Sequence, residues 1–192
     1  MKIGIDLDNV IANFDDALLE EYMKHDKELR NIGIVNENAD YIGRGMFDWT
    51  EEEDKSFYYG NIERIARELK PIKDASLYIK KLKNDGNVIY IISGRDNGEY
   101  TNPYEDTKNW LDKYDVAYDE LILTNAYQKH EKAEECLKHN IDILIDDSPK
   151  TCQEAIKRGI KVYTMNTRFN RKVEGLDRVS TWEEIYNKIS EL

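Results

Sequence analysis

Residues 2–8 have the sequence Lys-Ile-Gly-Ile-Asp-Leu-Asp, a short apolar run that ends in acids. A run of this length and composition is typical of a buried β-strand that leads into a loop. Residues 88–92 and 121–123 repeat the apolar pattern, as do residues 141–145 and 160–164. Strands that are apolar on both faces occur where helices cover a parallel sheet on both sides. The stretch at 2–8 therefore indicates the first of about five strands in such a sheet.

The intervals between these runs favour helices and one larger insertion. Helical patterns lie at 74–85, 103–115, 131–139, 149–158 and 181–191. Residues 15–73 separate the first strand from the first of these helices, with helical patterns at 15–30 and 51–69. We predict an α/β fold with a Rossmann-like core domain at 1–14 and 74–192. A small helical cap at 15–73 would be inserted after the first strand.

Composition narrows the classes of partner. The 192 residues include 28 Lys and Arg against 39 Asp and Glu, which gives a net charge of −11. So acidic a chain is a poor ligand for long nucleic acid or anionic lipid, because phosphate contacts need Lys and Arg. No apolar run approaches the ~20 residues that span a bilayer. Cys136 and Cys152 lack the spacing of a redox or zinc motif, which favours a reduced, cytoplasmic location.

Four acids follow two of the predicted strands. Asp6 and Asp8 come after the first strand, and Asp146 and Asp147 after the fourth. Ligands of open parallel sheets bind at the carboxyl ends of the strands. One such pair would be explained by a strand end that reaches solvent. Two pairs brought together repel unless a cation compensates them, and a hard divalent ion such as Mg²⁺ is the preferred partner of carboxylate oxygens.

Two further features lie at the same predicted edge of the sheet. Ser93-Gly94-Arg95 ends the second strand, and a hydroxyl followed by glycine lets backbone amides approach an anion. Lys132 lies fourteen positions before Asp146, and Lys129 is a nearby alternative. Taken alone, the first feature is a common turn and the second a solvated charge.

Together these elements resemble the haloacid dehalogenase (HAD) phosphohydrolase superfamily. Asp6-Leu-Asp-Asn-Val10 is similar to its first motif, Asp-x-Asp-x-(Thr/Val). Ser93 corresponds to the second motif, Lys132 to the third, and Ile145-Asp-Asp147 to the fourth. The resemblance covers the whole predicted core, with the motifs in the family's order.

The resemblance implies a role for each of these residues. Asp6 would be the nucleophile that takes up the phosphoryl group, and Asp8 would protonate the leaving oxygen and then activate water. Ser93 and the Gly94 amide would hold phosphate oxygens, and Lys132 would neutralise Asp6 and the phosphoryl group. The implied Mg²⁺ ligands are Asp6, the backbone carbonyl of Asp8, Asp146, and Asp147 directly or through water.

Within the superfamily, the chain looks most like the 5′(3′)-deoxyribonucleotidase-type subgroup. The likeness is carried by residues 12–14 (Ala-Asn-Phe), 102–105 (Asn-Pro-Tyr-Glu) with Trp110, and 145–149 (Ile-Asp-Asp-Ser-Pro). Eukaryotic members place a phosphate-binding lysine where this chain has Asp106. Their second motif is Thr-Ser-Pro rather than Ser-Gly-Arg. The latter also resembles HAD-type polynucleotide 3′-phosphatases, against which the net charge of −11 counts.

Recognition of a nucleoside needs an aromatic surface and a few polar groups. Phe14 is the first candidate because it lies close to the nucleophile in sequence. Phe47 and Trp49 are further candidates, although aromatics in a small helical insertion more often form its core. Arg44 and Arg95 could contact an anion or a ribose.

We therefore predict an Mg²⁺-dependent phosphomonoesterase that acts on a nucleoside monophosphate. The alternatives are a phosphatase for another small phosphate ester or for polynucleotide 3′-phosphate ends. From a different class, a phosphorylatable receiver-like domain or a non-catalytic binding module would share the acidic pair. A receiver domain, however, carries its phosphorylated Asp after the third strand, where this chain has Thr124-Asn125.

Overall fold

The computed structural model describes residues 1–43 and 45–192, and within them the chain forms six strands and seven helices. The strands are β1 (Lys2–Ile5), β2 (Val88–Ser93), β3 (Glu120–Leu123), β4 (Ile143–Asp146), β5 (Lys161–Met165) and β6 (Arg178–Val179). The helices are α1 (Phe14–Leu29), α2 (Glu51–Glu68), α3 (Ala75–Asn84), α4 (Pro103–Lys113), α5 (Glu131–His139), α6 (Pro149–Lys157) and α7 (Trp182–Ser190).

The strands form one parallel sheet in the order β3-β2-β1-β4-β5-β6. The predicted parallel α/β architecture is confirmed, with one addition to the expected five strands. The added strand, β6, has two residues at the sheet edge, too few to show a periodic pattern. In the centre, Ile5 of β1 is paired with Ile91 of β2 and Ile145 of β4. The strand order reverses beside β1, which opens a crevice at its carboxyl end.

Helices cover both faces of the sheet, since successive side chains of β2 pack against different sets of helices. Ile89 and Ile91 belong to a large apolar cluster that also includes side chains of α3, α4 and α7, whereas Tyr90 and Ile92 pack with side chains of α5 and α6. On the first face, two buried tryptophans also tether loops. Trp182 Nε1 donates to the Val10 carbonyl oxygen at 2.8 Å, which fixes the loop after β1. Trp110 Nε1 donates to the Leu69 carbonyl oxygen at 2.8 Å, just after α2.

Residues 15–73, here called the inserted segment, contain an aromatic cluster. The Tyr22 and Trp49 rings stack with centroids 4.8 Å apart, and Phe57 meets Tyr22 edge-on at 4.8 Å. Phe47 is 4% exposed in this cluster, so it packs as a core residue rather than as a surface for a nucleobase. Trp49 Nε1 also donates to the buried Asp26 at 2.8 Å. The division into core domain and cap stays a prediction.

Polar contacts join the inserted segment to the helix that follows β2. Arg67 on α2 lies 2.9 Å from Asp106 on α4, and Glu63 accepts from the Thr101 amide at 2.9 Å. Asp106, the position at which this chain departs from the subgroup that it resembles, is thus paired with a helix of the inserted segment. Tyr41 of the inserted segment also stacks on Phe169, which follows β5, with ring centroids 6.0 Å apart.

Two sequence expectations concern the surroundings of the protein. Throughout the described residues, no helix has the length and apolar character needed to cross a membrane. Cys136 and Cys152 are both buried, and neither takes part in a disulfide within the described part of the chain.

Candidate active site

Three carboxylates converge where β1 and β4 end. Asp6 directly follows β1, Asp146 is the last residue of β4, and Asp147 comes next. The Asp6 amide donates to the Ile145 carbonyl oxygen at 2.9 Å, which extends the pairing of the two strands to the site itself. One oxygen from each of the three carboxyl groups lies within 4.8 Å of the others, and all three side chains are buried. The parallel register thus brings together three of the four acids singled out from sequence.

Lys132 on α5 neutralises part of this cluster. Its Nζ lies 2.8 Å from Asp6 Oδ1 and donates to Asp146 Oδ2 at 2.6 Å. Burial lowers the pKa of Lys132, but the two carboxylates outweigh that effect, so the pKa is raised and the ammonium group is retained. Lys129, the alternative considered from sequence, is exposed instead. Partial desolvation of the ammonium group by nearby protein atoms, together with the adjacent Lys132, lowers the pKa of Lys129.

The carboxyl groups of the cluster are buried, and Lys132 offsets only part of their negative charge, so the pKa values of Asp6 and Asp147 are raised. Burial raises the pKa of Asp6 to about 7, although Lys132 acts in the opposite direction. Burial also raises the pKa of Asp147, and the neighbouring Asp6 and Asp146 add to the increase. Asp147 Oδ2 is buried and has no hydrogen-bond partner among the described residues. These carboxylates are under-compensated by one lysine, so a further cation would stabilise their ionised forms.

The donor set fits a hard divalent cation. Carboxylate oxygens are the ligands that Mg²⁺ prefers, and Asp6, Asp146 and Asp147 offer them within one small volume. The carboxylate of Asp8 turns away from this cluster toward Arg95. A contact of Asp8 with the cation would therefore involve its backbone carbonyl, as the sequence resemblance implies.

Arg95 and Asp8 form a partly buried ion pair that the sequence did not predict. The guanidinium is bidentate, with Nε donating to Asp8 Oδ2 at 3.0 Å and Nη2 to Oδ1 at 2.6 Å. Arg95 is 3% exposed and its guanidinium lies 5.7 Å from the centre of the Tyr100 ring. The signal was available, because β1 and β2 are parallel neighbours and both residues lie a few positions beyond the Ile5–Ile91 pair. Arg95, expected to contact substrate, is placed on Asp8.

Ser93 ends β2 and Gly94 follows it, at the turn where the sequence predicts anion binding. Ser93 Oγ is buried and lacks a hydrogen-bond partner within the part of the chain that the structure describes. Buried hydroxyl groups are normally satisfied, so this unpaired one keeps its hydrogen-bonding capacity. A Cβ added to Gly94 would lie 2.9 Å from the Ala126 Cβ and 3.1 Å from its Cα. Glycine is therefore required there by close packing against the loop after β3.

Replacing Gly94 by Ala is expected to lower the free energy of unfolding by about 1–3 kcal/mol, because the added methyl group meets backbone that cannot yield cheaply. Urea unfolding monitored by circular dichroism measures the change. Gly60→Ala is the matched control, since Gly60 lies in α2 with no atom near its missing Cβ among the described residues. The control should raise stability by about 0.5–1 kcal/mol through helix propensity. A Gly94→Ala protein as stable as the wild type would contradict this account of the turn.

A cavity of about 1250 Å³ opens from the acidic cluster toward the inserted segment. Asp6, Asp8, Gly94 and Lys132 border it, and so does Phe14. Phe14 is half-buried at the start of α1, and it packs against the main core. The cavity also has aromatic side chains from several elements: Tyr22, Tyr41, Trp49, Tyr58, Tyr59, Tyr100, Tyr127 and Phe169. Arg44, a sequence candidate for an anion contact, lies outside the described residues.

A tyrosine–glutamate network at the cavity was missed from sequence. The Tyr58 hydroxyl, from α2, donates to Glu99 Oε2 at 3.2 Å, and the Tyr127 hydroxyl donates to Oε1. Glu99 follows β2 and Tyr127 follows β3, so the network joins the inserted segment to two loops at the strand ends. These residues lie in no motif, and only the fold brings them together.

Comparisons with known proteins agree with this geometry. The family model described as 5′ nucleotidase, deoxy (pyrimidine), cytosolic type C protein matches residues 1–192. A nucleotidase from Clostridium acetobutylicum is 28% identical over 197 residues, which cover 100% of this chain and 95% of that protein.

Solved structures show the same fold at low sequence identity. A haloacid dehalogenase-like family hydrolase from Streptococcus pneumoniae has a TM-score of 0.68 at 15% identity, covering 98% of this chain and 97% of that one. A HAD-superfamily hydrolase of subfamily IA from Geobacter sulfurreducens has a TM-score of 0.64 at 14% identity, covering 98% and 95%.

Proposed function

Because the chain belongs to the family of 5′ nucleotidase, deoxy (pyrimidine), cytosolic type C proteins, we propose that it hydrolyses (deoxy)nucleoside monophosphates with Mg²⁺ through an aspartyl-phosphate intermediate. Membership in the family makes it a hydrolase of phosphomonoesters. It also favours an enzyme over the receiver-like and non-catalytic alternatives. The nucleotide substrate, the metal and the covalent intermediate are the parts that we propose.

One observation carries the proposal: the buried cluster of Asp6, Asp146 and Asp147, in which Lys132 is paired with Asp6 and Asp146. A carboxylate that attacks a phosphate dianion must have its repulsion cancelled. The Lys132 ammonium group supplies one positive charge. Mg²⁺ held by the three carboxylates and the Asp8 carbonyl would supply further charge neutralisation as a Lewis acid.

The chain's own residues account for the two half-reactions. The Asp6 carboxylate attacks phosphorus while Ser93 and the Gly94 amide hold the phosphate oxygens. Asp8 gives a proton to the leaving oxygen, and the nucleoside departs as an alcohol. Asp8 then accepts a proton from water, which attacks the aspartyl-phosphate and releases inorganic phosphate. For both transfers, the Asp8 carboxyl group must exchange Arg95 for the reacting oxygen.

The aromatic cavity supports a nucleoside as the leaving group. We propose that the inserted segment acts as a cap over it and that Phe14 contacts the nucleoside. A small substrate also suits the net charge of −11, which disfavours a polynucleotide. The cytoplasmic location stays a prediction.

We expect the purified protein to release phosphate from nucleoside monophosphates when Mg²⁺ is present and to lose this activity in EDTA, because the acidic cluster then lacks its compensating cation. Colorimetric phosphate release measures this over 5′- and 3′-nucleotides, sugar phosphates and 3′-phosphorylated oligonucleotides. Returning excess Mg²⁺ should restore the rate. A rate unaffected by EDTA would contradict the metal requirement, and a preference for sugar phosphates would contradict the nucleotide substrate.

A further inference from the structure

A second cavity, of about 490 Å³, adjoins the proposed active site. It lies between the loop after β3 and helix α6, and we call it the basic groove. Tyr127, Lys129 and Lys150 border both the basic groove and the larger cavity, so the two are neighbours. Of the described residues that line the basic groove, none belongs to the acidic cluster or to the turn after β2.

The charge of the basic groove is opposite to that of the chain. Lys129, His130, Lys150 and Lys157 line it, and Glu154 is its acid in the described part of the chain. Glu154 is already paired with a neighbouring arginine, Arg158, at 3.0 Å.

The two lysines shared with the active-site cavity are free to bind a ligand. Lys129 and Lys150 are exposed and make no ion pair with any described residue. Ten of the nineteen lysines of this chain form an ion pair with a described carboxylate, whereas these two keep their charge uncompensated at the cavity. Two unpaired ammonium groups at the mouth of a phosphatase site therefore create a local field that attracts an anion.

We propose that the basic groove binds a second phosphate group of the substrate, and that the preferred substrates are nucleoside 3′,5′-bisphosphates. This inference rests on the proposed function and deepens it. Of the described residues that line the basic groove, none is a carboxylate of the acidic cluster, so in this proposal the second phosphate lies on the other side of the sugar from the first. Hydrolysis breaks one P–O bond and consumes one water, which leaves inorganic phosphate and a nucleoside monophosphate.

The experiment compares kcat/KM for phosphate release from thymidine 3′,5′-bisphosphate with the values for the 3′- and 5′-monophosphates. We expect a preference of roughly tenfold for the bisphosphate, the size of one charge-assisted contact. Lys150→Gln and Lys129→Gln should each remove most of this preference. The preference of the wild type should also shrink at high salt, because exposed charges are screened.

Lys27→Gln is the matched control. Lys27 lies in the last turn of α1, is exposed, and like Lys150 makes no ion pair with a described residue. This variant loses the same charge far from the basic groove, so it should keep the wild-type preference. A preference that survives in both Lys129→Gln and Lys150→Gln would overturn the proposal, and so would monophosphates hydrolysed as well as the bisphosphate.

Two further substrates test whether the second phosphate could be attached in another way. Thymidine 5′-diphosphate tests directly linked phosphates, and a 3′-phosphorylated oligonucleotide tests a neighbouring diester. A higher kcat/KM for either than for the bisphosphate would overturn the proposal. If no substrate releases phosphate, the proposed function fails. Isothermal titration calorimetry then tests, independently of activity, whether the basic groove binds a phosphate group. Thymidine 3′,5′-bisphosphate should bind the wild type roughly tenfold more tightly than Lys150→Gln, and equal affinities would overturn the proposal.

Discussion

Replacing Asp6 by Asn is expected to reduce phosphate release by a factor on the order of 10⁴ or more, because the amide cannot act as the nucleophile. The substitution keeps the size of the side chain. It also removes one of the three carboxylates that repel one another in a buried volume. The rate is measured as phosphate release at saturating nucleotide and Mg²⁺.

A loss of activity in Asp6→Asn could come from a folding defect, so the stability of this variant must be measured separately. Urea unfolding of Asp6→Asn should show wild-type or greater stability, since burial raises the pKa of Asp6 and thus disfavours its charge. Asp16→Asn provides the control for activity, because Asp16 also lies close to Asp6 in sequence but does not border the cavity among the described residues. If Asp6→Asn retained a rate within tenfold of the wild type, Asp6 would not be the nucleophile.

Replacing Lys132 by Gln is expected to lower the free energy of unfolding by about 3–5 kcal/mol and to abolish activity. The ammonium group sits between Asp6 and Asp146 at 2.8 and 2.6 Å, and its removal leaves buried carboxylates without a counter-charge. Urea unfolding in EDTA measures the stability term, since bound metal would mask it.

A double variant shows whether Lys132→Gln loses stability because of uncompensated charge or because of lost packing. Adding Asp146→Asn to Lys132→Gln removes one of the uncompensated charges and should restore part of the lost stability, without restoring activity. Lys157→Gln, whose side chain is 73% exposed, is the control and should change stability by less than about 0.5 kcal/mol. Equal instability of the single and double variants would show that lost packing, not charge, sets the cost.

The fold could be predicted from sequence where the pattern was strong. Continuous apolar runs identified β1 to β5, because a strand covered on both faces has no polar side to dilute its pattern. The short β6 escaped because its pairing is imposed by tertiary contacts: the Asn166 amide donates to the Val179 carbonyl oxygen at 2.8 Å, and Thr164 is paired with Arg178.

The residues of the candidate site also fall into a group that could be predicted from sequence and a group that could not. Asp6, Asp146 and Lys132 could be predicted because motif spacing and strand ends determine where they lie. The bidentate contact of Arg95 with Asp8 was missed, because a side chain chooses its partner by local charge and space that no motif encodes. Glu99 was missed for a different reason, since its hydrogen-bond partners come from elements distant in sequence.

The three tryptophans lie in two different environments, and their fluorescence should differ accordingly. Trp110 and Trp182 are buried in the main core, whereas Trp49 borders the cavity and stacks on Tyr22. Indole fluorescence depends on the polarity around the ring, so two of the emitters form a constant background while the third is exposed to whatever enters the cavity. The native protein therefore carries its own spectroscopic probe for ligand entry, at a position where no label has to be introduced.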